Sequence, residues 1–151
     1  MSCPWTDEEI PDTGLLYMRV LVKWLDDEGL PEPRTFTNHE DKFGVNAMST
    51  DWDRYCSPEE TCRRSRRQSP AAYAIAQLRV GVVRDIPEQM VQHAPVWNDP
   101  EDPSDPNNQA HTNVIGPKRS AETIRSEEIR AKFIAECREL GLALAPGHGV
   151  E

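Results

Sequence analysis

Tyr73-Ala74-Ile75-Ala76-Gln77-Leu78-Arg79-Val80-Gly81-Val82-Val83-Arg84 is the stretch on which the fold turns. Ala74, Ala76, Leu78, Val80 and Val82 recur at every second position, the period at which a strand returns a side chain to the same face. The spacing predicts a strand over 73–84 with these residues pointing inward, and Gly81 marks a bulge or a close backbone approach within it. Working outward, Leu16, Met18, Val20, Val22 and Trp24 repeat the alternation, with Arg19 and Lys23 on the opposite face. That segment also reads as a helix, because it is long and nearly all apolar. Asp26-Asp27-Glu28-Gly29 ends it, and Pro31 and Pro33 keep the next residues irregular. Gln89–Val96 and His111–Gly116 are shorter extended segments, and pairing them gives a long-looped antiparallel hairpin.

Two helices complete the reading. Ser57-Pro58-Glu59-Glu60 combines an N-cap serine, a proline where no N–H is needed and a glutamate at the third position, a capping box that starts a helix at Pro58. It has almost no apolar stripe through Arg67, so it is expected on the surface with its basic end presented. Further on, Ser120 is a candidate N-cap, while Ile129, Phe133 and Cys137 repeat at i+4, flanked by Ile124, Ile134 and Leu140. Gly141 suits the residue after the helix end, and Glu128–Lys132 is a favourable i,i+4 pair. The expected fold class is α+β: a small mixed or antiparallel sheet with a C-terminal packing helix and one exposed, basic-ended helix. Residues 1–13 read as a flexible acidic arm, 14–142 as a single domain and 143–151 as a flexible tail. Within the domain, residues 98–109 form an acidic loop with three Asp-Pro pairs at period three.

The chain has 151 residues, 17 basic and 26 acidic, for a formal charge of −9. Leu, Ile, Val and Phe make up less than a fifth of it, so a compact centre with acidic margins is expected. The net charge disfavours general binding to phosphate backbones. No apolar run is long enough to span a bilayer, and the acidic N-terminus has no signal-peptide core, which points to the cytoplasm. Cys3, Cys56, Cys62 and Cys137 are scattered and are expected reduced. The five residues between Cys56 and Cys62 do not suit a zinc pair, so no metal is expected.

Two groups of residues carry the candidate chemistry. His93 and His111 on the proposed hairpin, beside Asp99, Asp102 and Asp105, would hold a proton-transfer or metal site if they share a face, with Asp85, Arg54 or Arg19 as third polar group. Arg63, Arg64, Arg66 and Arg67 form the one basic run, suited to an acidic protein surface or to phosphates. Cys62 beside Arg63 and Arg64 is the sole thiol near cations. No phosphate loop, dinucleotide fingerprint, nucleophile elbow or His-Glu-x-x-His occurs, and no cofactor is expected.

Leu16-Tyr17-Met18-Arg19-Val20, Met48-Ser49-Thr50-Asp51-Trp52-Asp53-Arg54-Tyr55 running into Ser57–Thr61, and Ala110-His111-Thr112-Asn113-Val114-Ile115-Gly116 followed by Lys118 resemble motifs of a group of small bacterial proteins with no assigned activity. The Leu-Tyr-x-Arg strand is also similar to the first strand of ADP-ribosyltransferase-like domains, in which an Arg or His contacts NAD. That resemblance implies Arg19 as the cofactor contact; the chain shows no clear Ser-Thr-Ser element and no Glu-x-Glu pair to extend it. The leading expectation is a non-catalytic accessory component of a bacterial complex, docking another protein through Arg63, Arg64, Arg66, Arg67 and Asp99, Asp102, Asp105. The alternatives are a small enzyme using His93, His111 and Arg19 (ADP-ribosyltransferase-like or a metal-assisted hydrolase), and a nucleic-acid accessory factor using the arginine run.

Overall fold

The computed structural model describes residues 2–40, 44–64, 68–99, 106–118 and 124–147. Its strands are β1 (Leu15–Leu21), β2 (His39–Glu40), β3 (Asn46–Trp52), β4 (Tyr73–Arg79), β5 (Met90–His93), β6 (His111–Ile115) and β7 (Leu142–Leu144). Its helices are α1 (Pro58–Arg63), α2 (Val80–Asp85) and α3 (Ile124–Leu140). The strands form one open antiparallel sheet in the order β5-β6-β3-β1-β4-β7, with β2 joined to β3. The α+β class read from the sequence is the fold observed.

Alternation decides the faces. Leu16, Met18 and Val20 of β1 are buried, as are Met48 of β3 and Val114 of β6, and α3 covers this face with Ile129, Phe133 and Cys137. Phe36, carried by a short 3-10 turn, stacks on Phe133 with ring centres 5.2 Å apart. The helix is also fixed through Glu136, whose buried carboxylate accepts from the Arg79 backbone N–H at 2.8 Å and from two guanidinium nitrogens at 3.0 and 2.7 Å. The opposite face is shielded by α1 and a smaller cluster of Cys62, Tyr73, Ile75 and Leu144.

The capping box is present: Ser57 Oγ accepts from the Glu60 N–H, and the Glu60 carboxylate accepts from the Ser57 N–H. Gly141 ends α3 in the left-handed region, its N–H donating to Cys137 O. Ser120 lies outside the described residues.

Four expectations are corrected. The strand expected over 73–84 stops at Arg79, and Val80–Asp85 winds into α2. Val80 and Val83 are buried at a spacing of three, whereas Val82 is only half-buried. The N–H groups of Val80 and Gly81, orphaned at a helix start, donate to Gly14 O and Asp12 O. A Cβ at Gly81 would meet Asp12 Cβ at 3.1 Å, so this glycine does mark a close backbone approach. β1 likewise ends at Leu21, and Val22–Trp24 forms a 3-10 turn. The third correction concerns the N-terminal arm, which is docked: Ile10 is buried in the core, and Asp12 and Glu9 pair with Arg84. Last, Ala143 and Leu144, expected in a flexible tail, are ordered: Leu142–Leu144 pairs with β4 as an edge strand.

Phe133→Ala removes a stacked ring from the centre of the α3 contact. It should lower unfolding stability by about 3–5 kcal/mol in urea titration. Burial pushes the Cys137 thiol up to about 12. Unfolding therefore releases a proton above the ordinary thiol value near 8.5, and stability is lost as pH rises from there toward the folded value, at roughly 1.4 kcal/mol per pH unit. Comparing urea curves at pH 8 and pH 10, Cys137→Ala should lose less stability over that interval than the parent.

Candidate functional site

The β1–β4 ladder runs from Leu15↔Arg79 to Leu21↔Tyr73, whereas β1 pairs with β3 only at Leu16↔Trp52 and Tyr17↔Asp51. Farther along the same edge of β3, β2 takes the place of β1 at Ala47 and Asn46. The sheet therefore forks, and among the described residues Met48–Thr50 has no strand partner on that edge. At this fork, on the α1 side, lies a polar cavity of about 130 Å³. Tyr17 and Arg19 of β1, Ser49 and Asp51 of β3 and His111 of β6 contribute to its lining. The register accounts for this grouping: Tyr17 lies opposite Asp51, and Asp51 opposite His111, so three adjacent strands present one row of polar side chains to one face.

Asp51 is almost wholly buried and fully engaged. Its Oδ2 accepts from Thr61 Oγ1 at 2.8 Å and from the Arg64 guanidinium at 2.7 Å, and its Oδ1 accepts from Asn108 Nδ2 at 2.8 Å. Asn108 in turn closes the neck of the Asp-Pro loop, exchanging backbone hydrogen bonds with Val96. Arg19 donates one hydrogen bond, to Thr61 O at 3.1 Å, and among the described residues no carboxylate pairs with it. Burial, then the nearby charges of Asp53, Cys56 and Glu59, raise the Tyr17 phenol above its ordinary value, so its hydroxyl keeps its proton. No hydrogen-bond partner engages that hydroxyl among the described residues.

His111 is held from both sides of its ring. Nδ1 lies 2.8 Å from Ala94 O, and Nε2 lies 3.4 Å from Ser49 Oγ. His93 is a different kind of residue. Antiparallel pairing sets His93 opposite Thr112, not His111, so the two imidazoles lie on opposite faces of the sheet. His93 is buried against Trp52 and Tyr55, its Nδ1 accepts from the Glu8 N–H at 3.0 Å, and its Nε2 lies 2.7 Å from Gln109 O. Both nitrogens anchor backbone, and the shared two-histidine site is overturned. Of the proposed third groups, Arg54 lies over the Trp52 and Tyr55 rings, Asp85 is exposed at the end of α2, and Arg19 alone joins His111 in the cavity.

The arginine run divides in the same way. α1 is not a free surface helix, since Thr61 and Cys62 are buried beneath it. Arg64 turns inward to Asp51, while Arg63 is exposed; Arg66 and Arg67 lie outside the described residues, as do Asp102 and Asp105. Asp99 is half-buried beside the loop neck. Cys62 is buried and its thiol is raised by desolvation, ahead of the opposing effects of Arg19 and Arg63, so it is not an activated nucleophile. Among the described residues, no cluster of His, Cys, Asp or Glu is arranged to hold a metal ion, and no helix is long and apolar enough to cross a membrane.

Sequence reasoning missed Tyr17, Ser49 and Asp51. The signal available was polar residues at alternate positions of a strand, Ser49 and Asp51 between Met48, Thr50 and Trp52. No known protein family, curated protein or solved structure matches the chain.

Asp51→Asn leaves Arg64 without its counter-charge and turns an amide N–H toward a donor. It should cost about 3–5 kcal/mol in urea unfolding, and combining it with Arg64→Met should recover part of the loss.

Proposed function

We propose that the protein binds a small oxyanion group, a phosphate or carboxylate of a compact ligand, in the cavity at the fork. The observation that carries this reading is Arg19: a cavity-lining guanidinium with no carboxylate partner among the described residues, beside an unengaged Tyr17 hydroxyl. Arg64 and Asp51 neutralise one another, so Arg19 leaves the described lining with a net positive charge within a chain of net −9. Charge-assisted hydrogen bonds from a guanidinium are the strong ones for phosphate and carboxylate oxygens. The volume accommodates a group of phosphoryl size, well short of the roughly 300–1,000 Å³ of a pocket that encloses a drug-sized ligand.

The docking reading is less well supported, because Arg64, one of its contacts, is committed to Asp51. Two sources of an oxyanion are natural here: a free ion or the phosphate of a nucleotide, the latter being what the resemblance of the Arg19 strand to ADP-ribosyltransferase-like domains would imply. Isothermal titration with inorganic phosphate, acetate, AMP and NAD separates them. Arg19→Gln should weaken binding of the preferred anion by about 10–100-fold, the loss of one hydrogen bond to a charged group. Binding by none of the four, or equal binding by the variant, overturns the reading.

A further inference from the structure

We infer that Ser49 and His111 form a nucleophile–base pair that hydrolyses short-chain carboxylic esters. The inference rests on the oxyanion reading above only for the group that stabilises the developing negative charge.

A carbonyl oxygen can only accept, so the 2.8 Å contact to Ala94 O places the proton of a neutral His111 on Nδ1. Nε2 then carries a lone pair toward Ser49 Oγ, 3.4 Å away, which makes the hydroxyl the donor. The Ala94 N–H also donates to His111 O at 2.9 Å, so a single residue fixes both the backbone and the ring of the histidine. These are the nucleophile, base and orienting roles of an activated hydroxyl, at a separation that such contacts show before substrate tightens them. Ser49 is exposed on the part of β3 that the fork leaves uncovered. The contrast with His93 is informative: there both ring nitrogens are spent on backbone, whereas His111 keeps one for a hydroxyl at a cavity.

Ser49 Oγ forms a bond to the ester carbon while its proton passes to His111 Nε2. The carbonyl π pair moves onto oxygen, where the Tyr17 hydroxyl and the Arg19 N–H groups not used by Thr61 O, unengaged among the described residues, supply the donors. The C–O bond to the alcohol breaks, and His111 returns the proton to the departing alkoxide. Water then attacks acyl-Ser49, giving its proton to Nε2 and from there to Oγ, and the carboxylic acid leaves. One imidazole suffices because nucleophile and leaving group sit on the same carbon. In-line displacement of an alkoxide at phosphorus would instead need a second acid opposite Ser49, whereas fluoride leaves phosphorus without one. The cavity volume favours an acetyl-sized acyl group, and Val96 and Pro106 supply an apolar wall for it.

The test uses the intact protein with diisopropyl fluorophosphate, followed by intact mass and peptide mapping, and with p-nitrophenyl acetate for turnover. A single adduct is expected on Ser49, absent in Ser49→Ala, a surface substitution that preserves the fold. Its formation rate and p-nitrophenol release should fall at least 100-fold in His111→Asn, whose folding is checked by thermal unfolding. No adduct on Ser49, or equally fast labelling of a folded His111→Asn protein, overturns the inference. Calorimetry with phosphate, acetate, AMP and NAD on the same samples keeps the two readings apart: labelling with binding of none of the four supports the pair and removes the oxyanion site, and anion binding without labelling does the reverse.

Discussion

A buried carboxylate must be answered by donors, and in this protein the answer to Asp51 determines what surrounds it. Its two oxygens receive three hydrogen bonds from three places in the chain: Thr61 within α1, Arg64 just after it, and Asn108 at the neck of the Asp-Pro loop. An unpaired charge at such a position is strongly unfavourable, so these segments are held against β3 more firmly than their own apolar content would hold them. α1 is six residues long, too short to be stable alone, and packs only Thr61 and Cys62 inward. The capping box starts it; Asp51 ties it down.

The sheet divides its work between two faces. One is covered along its length by α3 and the Phe36 turn, and it holds most of the apolar core. The other receives only the short α1, which reaches β1 and the Asp51 end of β3, and the small cluster around Ile75, so the stretch of β3 around Ser49 stays exposed. Polar residues at the odd positions of β1 and β3 are tolerated there because that face stays partly open to water. The fork then converts an open polar face into a concavity, since β2 replaces β1 beside β3 before β1 has paired beyond Tyr17. The cavity is thus a consequence of strand lengths and register.

Much of this was legible in local sequence. The Leu15–Leu21 alternation, the Ser57–Glu60 cap, the hairpin of β5 and β6 and the C-terminal helix each carry their signal within a few residues. What escaped depends on distant partners. Val80, Val82 and Val83 satisfy both a period of two and a spacing of three, and the choice falls to helix because Asp12 and Gly14 present carbonyls to the first turn. Whether His93 and His111 share a site turns on the face each one takes; face follows from register, and a shift of one residue reverses every side chain of a strand. Nothing near Arg64 distinguishes it from its neighbours in a run of arginines; its counter-charge is thirteen positions away on another element. Tyr17, Ser49 and Asp51 sit inside stretches that stand out by pattern, but no single strand shows that the three converge.

The balance of local and global charge narrows what the cavity can take. At physiological ionic strength, fields decay over about 8 Å, so a ligand seated against Arg19 experiences the adjacent guanidinium far more than the net −9 spread over the surface. A long polyanion gains less: each phosphate beyond the first meets a chain of net −9, and its approach is repelled. A compact anion gains the contact with Arg19 and forgoes the rest. Screening also separates the two basic features of the chain. Arg63 is exposed, where ions screen it, whereas Arg19 is recessed beside a desolvated phenol, where its charge is screened less and its unused donors count for more.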